Sequence, residues 1–387
     1  METMSKTKSV VDPSLVKYDY IDALRGIAIA GVVLVHSNQI VSMKSCFLSV
    51  LARNGARGVQ LFYLVSALTL FMSMKVHARN EKNPTSNFFI RRFFRIAPLY
   101  YFAMIVGYFL DGNAPRYWAP EGIKNSYFVL NALFLHAWHP CAINSVVPGG
   151  WSVGVEMMFY LLLPFLFAAV RNVRECAGFF LSSLLMNSLL TAMIEPQMRS
   201  FISQDYIVQY YFYLWFFAHL PIFAMGIMCY YVIRQLREQK KRTRIGGILL
   251  AFSGILFFVF LKASSPEHYL MDNYLFAGAF CFLTVGLSAF PSRFLVNPGT
   301  MVLGKLSYGI YVIHFYVVQF LKSHFGSNAP NDGRAFQWYL IVLIISSAIA
   351  AILHTVLEKP GIAFGKRIIT FREKRKQRKR GRVCPSI

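Results

Sequence analysis

Runs of about 20 apolar residues recur along the whole of this chain, and short polar segments separate them. A helix of that length crosses the hydrocarbon core of a bilayer, where it satisfies its own backbone hydrogen bonds. Composition agrees with this interpretation, because 56% of the 387 residues are hydrophobic and only 15% are charged. The chain is therefore predicted to be an all-α, multi-pass integral membrane protein and not a soluble globule.

Basic residues between the apolar runs predict the topology. Ten runs are predicted to span the membrane, at residues 21–43, 58–75, 96–110, 151–170, 178–194, 207–233, 246–262, 273–290, 302–322 and 336–357. Lysine and arginine concentrate in the cytoplasmic loops of membrane proteins. Ten helices with both termini cytoplasmic place every basic cluster on that side. The net charge of +23 is thus assigned to topology, and no nucleic acid is expected as a partner.

Residues 127–150 begin with an apolar stretch that is too short for a further span. Counting it as a span would move Arg171 and Arg174 to the outer side and invert every later helix. It is predicted to be a re-entrant or surface-lying element on the outer side. The predicted organisation is a cytoplasmic segment at 1–20, a transmembrane domain at 21–360 and a polybasic cytoplasmic tail at 361–387 that contacts anionic lipid.

Arg25 and His36 both lie in the first apolar run, eleven residues apart. Eleven steps of about 100° bring them to the same side of a helix, with a rise of about 16 Å between them. Ionisable side chains inside a span are costly and indicate function. A neutral imidazole, whose ordinary pKa is about 6.5, can act as a general base. The structural alternative for His36 is a hydrogen bond to a neighbouring helix.

The segment PGGWSVGVEMMFYLLLP begins with two glycines and continues into the fourth run. Ser152, Glu156 and Tyr160 follow at intervals of four, so one helix face carries three polar groups. A carboxylate near the boundary of a membrane helix favours a cavity-lining role. The structural alternative for Glu156 is to pair with an arginine or histidine of another helix.

Three arginines, Arg91, Arg92 and Arg95, precede the third run at helical spacing. Guanidinium groups bind phosphate bidentately, so this cluster suits phosphate recognition. Anchoring by the positive-inside rule is the alternative.

A last motif, LGKLSYGIYVIH, places Ser307, Tyr308, Tyr311 and His314 in the ninth run. His314 is a second membrane-embedded histidine, and the sequence leaves open whether its role is functional or structural. His136 and His139 provide a weaker case for contact with a polar substrate. The six cysteines show neither CxxC nor metal spacing, so no metal site is predicted.

These motifs together resemble the acyltransferase-3 family of integral membrane O-acyltransferases. The matching stretches are IDALRGIAIAGVVLVHSNQI, GARGVQLFYLVSALTLF, RRFFRIAPLYY, VPGGWSVGVEMMFYLLLP, LGKLSYGIYVIHF and LEKPG. The likeness runs from Tyr18 to Pro360, and its specificity comes from the order and spacing of the motifs. The family often has Ser-Gly where this chain has Ser66-Ala67, which leaves the role of Ser66 open.

The resemblance implies a ten-helix bundle that moves an acyl group, commonly acetyl, from cytoplasmic acyl-CoA to a hydroxyl group. Acyl-CoA is then a donor substrate, and no bound cofactor is expected. The expected acceptor is a bacterial surface polysaccharide or its lipid-linked precursor, such as O-antigen of lipopolysaccharide, capsule or exopolysaccharide, at the inner membrane. A nodulation factor, peptidoglycan or a macrolide hydroxyl are the other acceptors considered.

The hypothesised mechanism places the thioester of acyl-CoA near His36. It places the phosphates near four arginines, which are Arg25, Arg91, Arg92 and Arg95. His36 deprotonates the acceptor hydroxyl, directly or through an acyl-histidine, and Glu156 orients or charge-balances a histidine. The residues expected at the acceptor or the developing oxyanion are Trp151, Ser152, Tyr308 and His314. A proton-coupled transporter or flippase of a polysaccharide intermediate is the alternative, because membrane-embedded Arg, His and Glu also line transport paths.

Overall fold

The computed structural model describes residues 18–264, 269–326 and 329–381, so parts of the predicted terminal segments (1–17 and 382–387) lie outside the described residues. The α-helices are α1 (Asp19–Ser37), α2 (Cys46–Asn54), α3 (Gly58–Asn80), α4 (Pro84–Asp111), α5 (Asn125–Ala132), α6 (Gly150–Ala169), α7 (Val173–Phe201), α8 (Asp205–Leu214), α9 (Phe216–Arg237), α10 (Arg242–Ala263), α11 (Tyr269–Ala289), α12 (Pro298–Phe325), α13 (Asp332–Leu353) and α14 (Lys359–Gly381). A π-helical turn, His354–Glu358, joins the last two.

Ten stretches of the described chain are long and apolar enough to cross a membrane. The predicted all-α bundle of ten spans is therefore confirmed. Successive spans alternate in direction, so α1, α4, α7, α10 and α12 begin at one end of the bundle, which we call the basic end. The other is called the far end. At the basic end the Arg237 guanidinium lies over the Tyr18 ring at 5.0 Å. At the far end Asp332 accepts hydrogen bonds from the backbone of Lys44 and Ser45, at 2.7 and 2.9 Å.

Several predicted helix boundaries are wrong, each for a local reason. The first helix ends at Ser37 and not at 43, because Asn38 turns the chain and its side chain accepts the Met43 N–H at 2.8 Å. The third begins at Pro84 and not at 96, since proline suits a first helical turn, and the helix continues through Pro98 as far as Asp111. The sixth is broken at Trp215, whose backbone is extended.

The last helix does not stop at the predicted end of the transmembrane domain. After the π-helical turn, α14 continues as far as Gly381, and Asn87 of α4 donates to Glu373 at 3.0 Å. Thus the described part of the polybasic tail extends the helix beside α4. Its contact with anionic lipid stays a prediction.

Close contact between α1 and α12 sets the centre of the bundle. A Cβ atom at Gly26 would lie 1.9 Å from the Thr300 carbonyl oxygen, and one at Gly304 would lie 1.7 Å from that of Asp22. Only glycine fits at both positions. The two helices that carry His36 and His314 are therefore held backbone to backbone.

The prediction that residues 127–150 hold no further span is confirmed. Helix α5 has only 8 residues, and the chain continues through a 3₁₀ turn at His136–Trp138 into irregular backbone. This segment packs into the bundle: the buried Tyr100 hydroxyl donates to Asn131 at 2.7 Å and lies 3.2 Å from His136 Nε2. Which side of the membrane this end faces stays a prediction.

Candidate active site

A polar cavity of about 730 Å³ lies within the bundle between α1, α3, α4, α6 and α12. Along α3 its wall runs from Val59 to Thr69, a rise of about 15 Å at about 1.5 Å per residue. Arginines line the part nearer the basic end, and hydroxyl groups line the part nearer the far end. The cavity is therefore an elongated space whose positively charged side chains lie at one end.

Three arginines share this cavity. Arg25 projects from α1, while Arg92 and Arg95, one turn apart, project from α4. Arg25 donates to the Thr69 hydroxyl at 3.2 Å, and the Arg92 guanidinium lies over the Phe88 ring at 5.6 Å. Within the described chain none of the three has a carboxylate oxygen at ion-pairing distance. Their positive charge is left available to an anion.

Arg91, the fourth arginine expected at the phosphates, does not line the cavity. Its guanidinium pairs with Glu81 at 2.7 Å, and Glu81 also contacts His77 at 2.8 Å. Arg91 and Arg92 are neighbours in the sequence but project from different sides of α4. The helix therefore separates a cavity arginine from a structural one.

Glu156 is the carboxylate on the cavity wall, and it interacts electrostatically with Arg25 and Arg92. The Ser66 hydroxyl donates to it at 2.5 Å. Ser66, whose role the sequence left open, thus orients Glu156 across the cavity from the arginines. No hydrogen bond joins Glu156 to a histidine among the described residues, so a direct orienting contact with His36 is not present here.

A chain of hydroxyl groups closes the cavity towards the far end. Ser152 Oγ donates to the Tyr311 hydroxyl at 2.8 Å, and the Tyr311 hydroxyl donates to the Gly149 carbonyl at 3.1 Å. Gly149 has a φ of 78°, a left-handed conformation that favours glycine. Helix α6 begins directly after it, which places Ser152 in the first turn.

His36 lies beyond this wall and does not line the cavity. It occupies the last turn of α1, whereas the predicted longer helix placed it near the middle. Its ring centroid is 5.3 Å from that of His314 and 4.2 Å from that of Phe315. Tyr311 bridges the two regions, since its ring lines the cavity and lies 5.7 Å from the ring of His314.

The hydrogen bonds of the two histidines are distinct. His36 Nδ1 lies 3.1 Å from the side-chain amide of Gln39. His314 Nδ1 donates to the Tyr311 carbonyl at 2.7 Å, which leaves its Nε2 as the unprotonated nitrogen. That Nε2 is buried and has no hydrogen-bond partner in the described part of the protein. His314 is therefore placed beside His36 and not at the predicted oxyanion position on the cavity wall.

Two other predicted residues have different surroundings from those expected. Trp151 points away from the cavity, with its ring 5.3 Å from that of His219 and edge-on to Tyr63. Tyr308 lines the cavity, but its hydroxyl donates to the Ile96 carbonyl at 2.8 Å. In this arrangement the Tyr308 hydroxyl already donates its one hydrogen to a backbone carbonyl, so it has none to donate to an oxyanion.

His136 and His139 make contacts that are typical of structural residues. His136 is fully buried, and burial lowers its pKa to about 4. Its Nε2 lies 3.0 Å from the Gly150 carbonyl. His139 Nδ1 accepts the N–H groups of Cys141 and Ala142, each at 3.2 Å, and burial followed by the nearby Lys124 lowers its pKa. Both rings stabilise the turns between α5 and α6.

A second pocket, of about 970 Å³, opens at the far end and was missed in the sequence. Tyr117, Trp118, Ser145, Phe315 and Gln319 are among the residues that line it. The adjacent aromatic pair within a polar loop was the available signal. Elsewhere in the described residues, no group of three His, Cys, Asp or Glu side chains is placed to hold a metal ion.

Comparison with known proteins agrees with this geometry. A family model described as an acyltransferase domain matches residues 18–356. The chain belongs to this acyltransferase family. It is an integral membrane acyltransferase, and the predicted family is confirmed. The chain is 23% identical to Acyltransferase MdmB of Streptomyces mycarofaciens, over 79% of this chain and 80% of the relative.

A second relative carries a more specific name. The chain is 22% identical to Peptidoglycan O-acetyltransferase OatA of Listeria monocytogenes, over 88% of this chain and 56% of that protein. The chain thus spans about half of that relative's length. No solved structure matches the chain.

Proposed function

We propose that this protein transfers an acyl group, acetyl in the first instance, from cytoplasmic acyl-CoA to a hydroxyl of a surface polysaccharide or its lipid-linked precursor at a bacterial inner membrane. The observation that carries the proposal is the cluster of Arg25, Arg92 and Arg95 in one cavity, with no carboxylate oxygen of the described residues at ion-pairing distance from them. Coenzyme A carries phosphates at one end and the reactive thioester at the other. A cationic site at one end of an elongated cavity suits that distribution of charge.

The length of the cavity supports the same donor. Between Val59 and Thr69 of α3 the cavity extends over about 15 Å, close to the reach of an extended pantetheine arm. With the phosphates at the basic end, the thioester lies against the hydroxyl wall. Rotation of the Tyr311 side chain then opens a path along which the thioester carbonyl reaches His36. The Ser152 hydroxyl, freed from Tyr311, donates to the oxyanion that develops on that carbonyl.

His36 is the proposed general base. In the structure the amide nitrogen of Gln39 faces Nδ1 of His36. Once the amide turns over, its oxygen accepts the Nδ1–H and leaves Nε2 as the basic atom. Nε2 takes the proton of the acceptor hydroxyl as that oxygen bonds to the thioester carbon. The carbon–sulfur bond then breaks, and the imidazolium returns the proton to the sulfur. The products are the O-acyl ester and free CoA.

Transfer of radiolabelled acetyl from acetyl-CoA to extracted envelope glycan tests the proposal, using membranes that contain the full chain. Arg92→Ala is the informative variant and Arg91→Ala is its matched control, since these neighbours differ in whether they line the cavity. We expect the KM for acetyl-CoA to rise about tenfold or more in R92A and about twofold or less in R91A.

Three results would contradict the proposal. Equal effects of R92A and R91A would remove the cavity as the phosphate site. Labelled glycan with longer acyl-CoA donors alone would replace acetyl as the group transferred. No label from any acyl-CoA, with the supply of donor verified, would favour a transporter.

A further inference from the structure

We propose that the pocket at the far end binds a sugar ring of the acceptor, and that Phe315 is the gate between this pocket and His36. This inference rests on the proposed function, because it assigns the second substrate of the same reaction. The pocket of about 970 Å³ is formed by the loop after α4, the turns before α6 and the last turns of α12. It is a separate space from the cavity that holds the arginines.

Phe315 is the side chain that separates the pocket from the histidines. Its ring lines the pocket and lies 4.2 Å from the rings of both His36 and His314, centroid to centroid. It also covers the backbone of Gly149, where a Cβ atom would approach the ring to within 2.5 Å. Rotation of this one side chain would connect the pocket with His36.

The chemistry of the pocket fits an uncharged carbohydrate. Tyr117 and Trp118 provide adjacent aromatic rings, and Tyr117 is largely exposed. Aromatic faces pack against the C–H surface of a sugar. The charged groups are already paired, with Arg116 Nη2 lying 3.4 Å from Asp111 Oδ2. The pocket therefore lacks the free positive charge that the inner cavity presents.

Polar atoms without partners face the same space. Ser145 lines the pocket, and its hydroxyl is buried with no hydrogen-bond partner in the described chain. The side-chain oxygen Oδ1 of Asn144 accepts the Gly149 N–H at 2.8 Å, which leaves the side-chain N–H₂ group of Asn144 for a ligand. A buried hydroxyl without a partner costs stability, and a sugar hydroxyl would satisfy it.

The position of the pocket agrees with this assignment. The donor phosphates bind nearer the basic end, so an acceptor in this pocket approaches His36 from the opposite end of the bundle. Both substrates then meet at His36 without competing for one entrance. Trp151, which the sequence suggested for stacking on a sugar, is replaced in that role by Trp118.

Kinetics with extracted envelope glycan as the varied substrate test the pocket. Trp118→Ala is expected to raise the apparent KM for glycan about tenfold, with the affinity for acetyl-CoA unchanged. Gln319→Ala, at an exposed lining residue, is expected to raise it about threefold. Phe201→Ala is the control, because Phe201 is an exposed aromatic residue at the same end that does not line the pocket.

The gate has its own readout. Phe315→Ala should admit water to the thioester, so hydrolysis of acetyl-CoA without glycan should rise at least severalfold, while Phe315→Leu should change it less. Unchanged glycan KM in W118A and Q319A, or unchanged hydrolysis in F315A, would overturn the inference. If W118A fails to bind acetyl-CoA, Q319A decides alone. Failure of the proposed function is a different result, in which the wild-type protein itself neither binds nor uses acyl-CoA.

Discussion

The two spaces of this protein differ in charge although their sizes are similar, about 730 Å³ for the inner cavity and about 970 Å³ for the far-end pocket. The inner cavity holds three arginines that form no ion pair with the described residues, opposed by the carboxylate of Glu156. In the far-end pocket, Arg116 is paired with Asp111 and aromatic rings supply much of the surface. The first suits a multiply charged anion, and the second suits a neutral polar ring.

The difference shows why one helix carries both Arg25 and His36. Arg25 belongs to the inner cavity, whereas His36, about 16 Å further along α1, contacts Phe315 on the border of the far-end pocket. In the proposed mechanism the same helix reaches from the donor's phosphates to the point where donor and acceptor meet. The regular geometry of α1 fixes that distance, and the close contact with α12 at Gly26 and Gly304 fixes the position of α1 in the bundle.

The largest expected effect comes from the residue between the two spaces. His36→Asn should lower the rate of transfer about 10²- to 10⁴-fold, because a general base contributes that much, and should leave acetyl-CoA binding unchanged. Single-turnover transfer and equilibrium binding of radiolabelled acetyl-CoA measure the two quantities. Near wild-type transfer by folded H36N would remove the base from the mechanism.

The next largest effect is expected from ionic strength, which should change substrate binding in the inner cavity more than in the far-end pocket. Raising ionic strength from about 0.05 M to about 0.5 M screens the attraction between the arginines and phosphates, so the KM for acetyl-CoA should rise severalfold. The KM for neutral glycan should stay within about twofold, and acetyl-pantetheine, which lacks the phosphates, provides the donor control. Equal salt sensitivity of acetyl-CoA and acetyl-pantetheine would contradict the assignment of the arginines.

Glu156→Gln gives a smaller effect whose sign is informative. Removing the carboxylate leaves the positive charge of Arg25, Arg92 and Arg95 less compensated, so acetyl-CoA should bind about threefold tighter. The unliganded protein should lose thermal stability, because the arginines repel one another more strongly. Ser66→Ala, which keeps the charge but removes its hydrogen bond, is the control. Weaker binding in E156Q would show that Glu156 contacts the donor directly.

The smallest effect on activity comes from His136, behind the far-end pocket. Burial lowers the pKa of His136 from 6.5 to about 4, so the unfolded state binds the proton first as pH falls. Stability should therefore be complete above about pH 6.5 and decrease between about pH 6.5 and 4, by roughly 3 kcal/mol.

Thermal unfolding in detergent across this range measures the effect, with His136→Gln as the variant in which the loss is reduced. The change that remains in H136Q includes the contribution of His139, whose pKa burial also lowers. A wild-type stability that is flat over this range would contradict the buried, neutral state of His136.

The number of spans and the family were predictable, and several of the polar residues that the sequence singled out line the inner cavity. Hydropathy and the alternation of basic loops predicted ten spans, because each span must satisfy its own backbone in lipid. Boundaries were less predictable where charged residues lie inside a helix. The predicted third span began at residue 96, after Arg92 and Arg95, whereas both lie within α4 and line a cavity that accommodates their charge.

The amino-acid sequence by itself determined that this is a helical membrane protein and which ionisable side chains its helices must hold, since the cost of burying them in lipid does not depend on the detailed fold. Only the tertiary structure decided which of them meet. Arg91 and Arg92 are adjacent in sequence yet one pairs with Glu81 and the other lines the cavity. His36 and His314 come together because α1 and α12 pack at their glycines, and such long-range packing depends on shape complementarity that no local pattern contains.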